Sequence, residues 1–157
     1  MDVSDAPQMW AFFERCTMEA RRVVFHARQA VSEIGGQGIS AEHVLCGLLE
    51  ADVLASRHLV ALPMKASELR VRVRGLIGGS DLASEAVDVP LTDEAGRILN
   101  RAWAEAEASG QRKVRSDHLL LGLLAGESSA AALLKANGVV ATAVRESIPA
   151  HDPDEDE

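Results

Sequence analysis

The 157-residue chain carries a net charge of −8 at neutral pH, so a phosphate backbone would be repelled on average and general nucleic-acid binding is excluded. Hydrophobic residues make up 47% of it but aromatics only 3%, which calls for a core of Ala, Val and Leu packed closely between helices. Two cysteines build no disulfide framework, the acidic start is unlike a secretion signal, and no apolar run reaches membrane length. A cytoplasmic protein without membrane attachment is the expectation.

Residues 1–11 read as an N-terminal extension. From Thr17 the apolar residues Ala20, Val23, Val24, Ala27, Val31 and Ile34 fall on one stripe of a helix, with Thr17 as N-cap and Gly35-Gly36 as its stop. A second, more apolar helix opens at Ser40 or Ala41 and runs to about Glu50. A third covers about Val53 to Ala61, where Pro63 interrupts, and a fourth runs from about Lys65 to Ile77. The segment 79–91, with Gly, Ser, Asp and Pro, reads as a linker ordered only in its last residues. Thr92 then caps a helix with Ala95, Ile98, Leu99, Ala102 and Ala106 inward, stopped by Gly110. Ser116 is expected to cap the next helix, and the last two cover about Ser128 to Ala136 and Val139 to Ile148. The acidic tail 149–157 has almost no apolar content and is expected to be disordered.

The second half copies the first. Glu42-His43-Val44-Leu45-Cys46-Gly47-Leu48-Leu49 returns, 75 positions on, as Asp117-His118-Leu119-Leu120-Leu121-Gly122-Leu123-Leu124. In the same register Thr17, Glu19, Ala20, Arg22, Ala27, Gly35, Ala55, Leu59 and Arg70 recur as Thr92, Glu94, Ala95, Arg97, Ala102, Gly110, Ala130, Leu134 and Arg145, without a gap. A repeat of this length is a helical subdomain, so an all-α fold is expected: eight helices as two pseudo-twofold-related four-helix repeats, residues 12–78 and 92–148.

Few residues suggest chemistry. In each repeat a Thr opens helix one and an acidic residue opens helix two: Thr17 with Glu42, and Thr92 with Asp117. A helix start suits a phosphate and a carboxylate suits a guanidinium, which together would receive phosphoarginine. The same residues serve equally as ordinary helix caps, and both readings stand. His43 and His118 are expected to be packed and hydrogen-bonded rather than metal ligands, because Leu121 stands where a ligand pair would repeat Cys46. Cys16 and Cys46 read as small hydrophobes, Trp10 and Trp103 as partly buried, and Arg70, Arg72 and Arg74 as a solvated face. No catalytic triad, metal cluster or cofactor loop is present, so no enzyme activity, metal or cofactor is expected.

The doubled octet, together with Phe13-Glu14-Arg15-Cys16-Thr17, Ala20-Arg21-Arg22-Val23-Val24 and Gly126-Glu127-Ser128-Ser129-Ala130-Ala131-Ala132-Leu133-Leu134, resembles the N-terminal domain of Clp-family AAA+ unfoldases, most closely the ClpC type. The resemblance covers about residues 12–148 and lacks any Walker A sequence, which suggests a free-standing N domain without the motor. It departs at Glu50-Ala51-Asp52-Val53-Leu54, at Pro63, at Cys16 and at Leu91. The resemblance implies a non-enzymatic binding module for phosphoarginine-marked or unfolded proteins, for the Clp unfoldase or for its adaptors, able to sequester or compete for ligands of the Clp protease. It implies Thr17, Glu42, Thr92 and Asp117 as phosphoarginine-binding residues. It also implies an apolar groove between the repeats at Phe13 and Leu91, where relatives hold cyclic-peptide antibiotics. Phe13 reads alternatively as a hydrophobic staple on the following helix. The competing function is a Clp-docking or self-associating protein with a vestigial pocket.

Overall fold

Each half of the chain owes its shape to one buried glycine. The computed structural model describes residues 6–36, 38–51, 57–60, 63–77 and 89–148. Among them run α1 (Ala6–Arg15), α2 (Met18–Ile34), α3 (Ala41–Glu50), α4 (Arg57–Val60) and α5 (Ala66–Ile77). The second half contributes α6 (Asp93–Ala108), α7 (Ser116–Leu124), α8 (Ser129–Ala136) and α9 (Ala141–Ser147). A Cβ on Gly47 of α3 would run into the carbonyl oxygen of Val23 in α2, and one on Gly122 of α7 would stand 2.5 Å from that of Ile98 in α6. The missing side chains let the two helices of each pair cross in backbone contact.

The expected stripes are the buried ones. Ala20, Val23, Val24, Ala27 and Val31 of α2 and Ala95, Ile98, Leu99, Ala102 and Ala106 of α6 are all buried. Between them α3 and α7 are apolar nearly all round because they are enclosed on all sides: every residue of α7 is buried, and in α3 only Glu42 and Glu50 are not. One continuous core joins the repeats, and each fully buried Leu in it contributes about 1.5–3 kcal/mol. No strand forms among the described residues; two isolated parallel bridges do, Cys16 with Val114 and Ile39 with Leu91.

Those bridges exchange partners between the repeats. Thr17 donates its N–H to Val114 O (3.0 Å) and Val114 donates to Arg15 O (2.7 Å), so the lead into α2 pairs with the lead into α7. Ile39 donates to Pro90 O (2.8 Å) and Thr92 donates to Ile39 O (2.9 Å), so the lead into α6 pairs with the lead into α3. The pseudo-twofold axis therefore sets the start of helix one in each repeat beside the start of helix two in the other.

Three expectations need correction or completion. Helix α1 crosses the boundary drawn at residue 12, because Phe12 is buried and lies 6.2 Å from the Trp103 ring, docking this segment on α6. Trp103 is partly buried there, under the Arg15 guanidinium at 5.0 Å. Ser116 is not the cap of α7: Arg115 holds the N-cap position and Ser116 is the first helical residue, matching Ser40 and Ala41 in the other repeat. The third helix of repeat one is described only over Arg57–Val60; most of the linker 79–91, the tail 149–157 and the Trp10 side chain lie outside the described residues.

Candidate functional site

The two histidines of the octets are fixed by their own helix starts. In α3 the Ser40 hydroxyl accepts the His43 N–H, while His43 Nδ1 receives the Ser40 backbone N–H at 3.1 Å. The other ring nitrogen, Nε2, donates to Gly35 O at 2.8 Å, which assigns the neutral Nε2–H tautomer. Burial holds the His43 pKa below its usual value. His118 Nδ1 receives the Arg115 N–H at 2.9 Å in the same way. Both are structural. Burial pushes the Cys46 thiol up to about 11 and that of Cys16 up to about 12, so both stay thiols in the core.

One Thr and one acid come together, but from different repeats. The sequence pairs Thr17 with Glu42 and Thr92 with Asp117 within each repeat. The exchanged bridges instead bring Glu42 and Thr92 to one cleft of about 730 Å³, whose walls also include Glu94, Arg97, Arg101 and Gly126. Thr92 caps α6, its hydroxyl accepting Ala95 N–H at 3.2 Å. Glu42 Oε2 accepts the Ala130 N–H at 3.0 Å and so caps α8 from the opposite repeat. Across the cleft Glu94 receives Arg97 Nε at 3.0 Å and Arg101 Nη1 at 3.3 Å, and Arg101 Nη1 also donates to Gly122 O at 2.9 Å. The cleft thus offers carboxylates, guanidinium groups and three helix starts, those of α3, α6 and α8, within one space.

The other pair is closed. Thr17 is buried, capping α2 through Ala20 N–H at 3.2 Å. Asp117 has no exposed surface, and its carboxylate lies 4.0 Å from His58 Nε2 and 4.0 Å from Arg115 Nε. The chain's own guanidinium and imidazole stand where a cationic ligand would have to approach.

Phe13 and Leu91 do share a site. Both line an apolar cleft of about 490 Å³ between the repeats, together with Val24, Phe25, Ile39 and Val89. Phe13 also accepts the Arg21 side chain at its carbonyl (2.9 Å), which ties the end of α1 to α2.

The family model for the Clp repeat (R) N-terminal domain matches residues 15–137. The chain belongs to this family. It is 35% identical over 141 residues to the chloroplastic chaperone protein ClpC of Pisum sativum, and 34% identical over 141 residues to a chloroplastic ClpA homologue of Brassica napus. The matches cover 88% of this chain but only 15% and 16% of those relatives, so the chain spans about one sixth of their length. The N-terminal domain of ClpD from Arabidopsis thaliana superposes with a TM-score of 0.67 at 20% identity, covering 85% of this chain and 92% of that one. The ClpV N-domain from Vibrio cholerae superposes at 0.70 with 13% identity, covering 87% and 84%. A ClpV N-domain solved as a complex with a VipB peptide superposes at 0.65 with 16% identity, covering 87% and 86%.

Within this Clp N-domain, sequence reasoning missed two groups of residues. Glu94 and Arg97 were visible only as repeats of Glu19 and Arg22, and Arg101 stands where repeat one has His26, so the doubling gave no hint of their cluster. Phe25 was passed over because it sits beside the inward stripe of α2; it is 57% exposed at the mouth of the apolar cleft. A large aromatic on the outer side of a stripe was the available signal.

Proposed function

We propose that this Clp N-domain is a protein-binding module whose Glu42–Thr92 cleft receives phosphorylated arginine side chains of marked proteins. The observation that carries it is the meeting of Glu42 and Thr92, from different repeats, in one open cleft. Glu42 uses Oε2 on Ala130; among the described residues Oε1 has no hydrogen-bond partner and can accept from a guanidinium. The start of α6 and the nearby arginines favour the phosphoryl group. Binding of a peptide by a solved ClpV N-domain supports a module of this kind. Held in this cleft, marked proteins would be delivered to, or withheld from, the Clp unfoldase and its adaptors.

Calorimetric titration with a phosphoarginine peptide tests the reading. Saturable binding that is lost in Glu42→Ala and weakened in Thr92→Ala is expected; absence of binding at millimolar peptide would leave Clp docking or self-association, with a vestigial pocket, as the function.

The exposed Phe25 at the Phe13–Leu91 cleft favours a second ligand class for the same module, apolar cyclic peptides such as the antibiotics that act on Clp proteases. A Phe25→Ala variant that binds such a peptide as tightly as the parent protein would reject this reading.

A further inference from the structure

We infer that Arg97 and Arg101 form the anion subsite of the Glu42–Thr92 cleft and that Glu94 is a built-in competitor for it, displaced when a phosphoryl group binds. The inference rests on the function proposed above and specifies which residues discriminate the phosphorylated side chain from plain arginine.

The argument begins with Gly126. A Cβ at this position would stand 2.9 Å from Arg101 Nη1 and closer still to Glu94 Oε2, so the bare backbone of Gly126 leaves room for the Glu94–Arg101 pair in its present arrangement. The equivalent place in repeat one is Ala51, and the equivalent of Arg101 is His26. Repeat one keeps Glu19 and Arg22 but lacks the second guanidinium. The cation pair is thus a property of one cleft alone, not of the fold.

Both guanidinium groups of this cleft are already engaged by one carboxylate. Glu94 receives both guanidinium groups through different oxygens, Arg97 Nε on Oε1 at 3.0 Å and Arg101 Nη1 on Oε2 at 3.3 Å. The three side chains are 59%, 29% and 23% exposed for Arg97, Arg101 and Glu94 respectively, so all are reached from the cleft. Part-exposed ion pairs of this kind are weak, and a phosphoryl group, with more charge and three acceptor oxygens, outcompetes one carboxylate for two guanidinium groups. Arg101 stays anchored through its bond to Gly122 O and need not move far. Glu94 then repels any anion too weakly charged to displace it, while a plain guanidinium engages Glu42 without disturbing the pair.

Glu94→Gln is the test, read by amide NMR titration with inorganic phosphate, with a phosphoarginine peptide and with the same peptide carrying plain arginine. Phosphate and phosphoarginine are expected to bind about two- to fivefold tighter, the scale of one part-exposed ion pair, with plain arginine not tightened. Arg97→Ala is expected to weaken both anionic ligands by a similar factor; it is preferred to Arg101 variants, which also strip a contact between α6 and α7. Unchanged or weaker phosphate binding in Glu94→Gln, or unchanged binding in Arg97→Ala, overturns the subsite. The failure of the parent reading looks different: there the phosphoarginine peptide does not bind the unmodified protein, or Glu42→Ala leaves its affinity intact.

Discussion

Glu42 and Ala130, 88 positions apart, are joined by a single hydrogen bond of 3.0 Å from the Ala130 N–H to the carboxylate of Glu42. A residue at the start of α3 in one repeat thereby caps α8 in the other. The bond ties the second repeat to the first at the floor of the candidate cleft, so Glu42 has a structural and a binding role that must be separated. Glu42→Gln keeps an acceptor for Ala130 and is expected to cost less than about 1 kcal/mol, whereas Glu42→Ala removes the cap and costs about 1–2 kcal/mol. Both should abolish phosphoarginine binding, since an amide cannot pair with a guanidinium as a carboxylate does. Urea unfolding beside peptide titration of the two variants separates the roles; retained binding in Glu42→Gln would refute the ligand role.

Asp117 predicts the stoichiometry. Its repeat partner Glu42 opens on a cleft, but Asp117 is wholly buried with Arg115 and His58 beside it. One phosphoarginine peptide per chain is therefore expected in calorimetry, despite the doubled sequence; two equivalent sites would contradict the closed geometry. Asp117→Ala should leave that single site in place yet destabilise the fold by about 3–5 kcal/mol, because it leaves the buried Arg115 charge poorly compensated.

The helices were legible because their signals are local: the stripes of α2 and α6 and the caps Thr17 and Thr92 depend on spacing within one turn or two. The doubled octet also carried the pseudo-symmetry. What it could not carry was the crossing of partners. Thr17 with Glu42 is the natural pair along the sequence, and only the bridges of Cys16 with Val114 and Ile39 with Leu91 exchange them. A carboxylate that is half-buried on a cleft in one repeat and sealed in the other also looks the same in a sequence. The difference between Glu42 and Asp117 lies in what stands opposite, His58 from far along the chain and Arg115 next door.

His43 predicts a pH dependence. Its folded-state pKa is held below the usual 6.5 by burial, so the folded protein keeps it neutral while the unfolded chain binds a proton. The stability that follows is fully present above about pH 6.5 and is lost as pH falls from there toward the folded-state value. The urea midpoint should therefore drop between about pH 7.5 and about pH 5.5, and His43→Gln, less stable throughout, should show a smaller drop. An equal drop in the variant would move the effect to another group.

Glycine to alanine offers opposite outcomes at two helical positions. At Gly122 the added methyl would press on Ile98 O and force α6 and α7 apart, so Gly122→Ala should destabilise by about 1–3 kcal/mol despite the gain in helix propensity. Gly75 lies in α5, is exposed, and a Cβ there meets nothing within 4 Å. Gly75→Ala should therefore stabilise by about 0.5–1 kcal/mol, chiefly by restricting the unfolded chain. In thermal melts this is a rise of about 1–4 °C for Gly75→Ala and a larger fall for Gly122→Ala. A Gly122→Ala variant that melts no lower than the parent would mean that α6 and α7 are not held in backbone contact by this glycine.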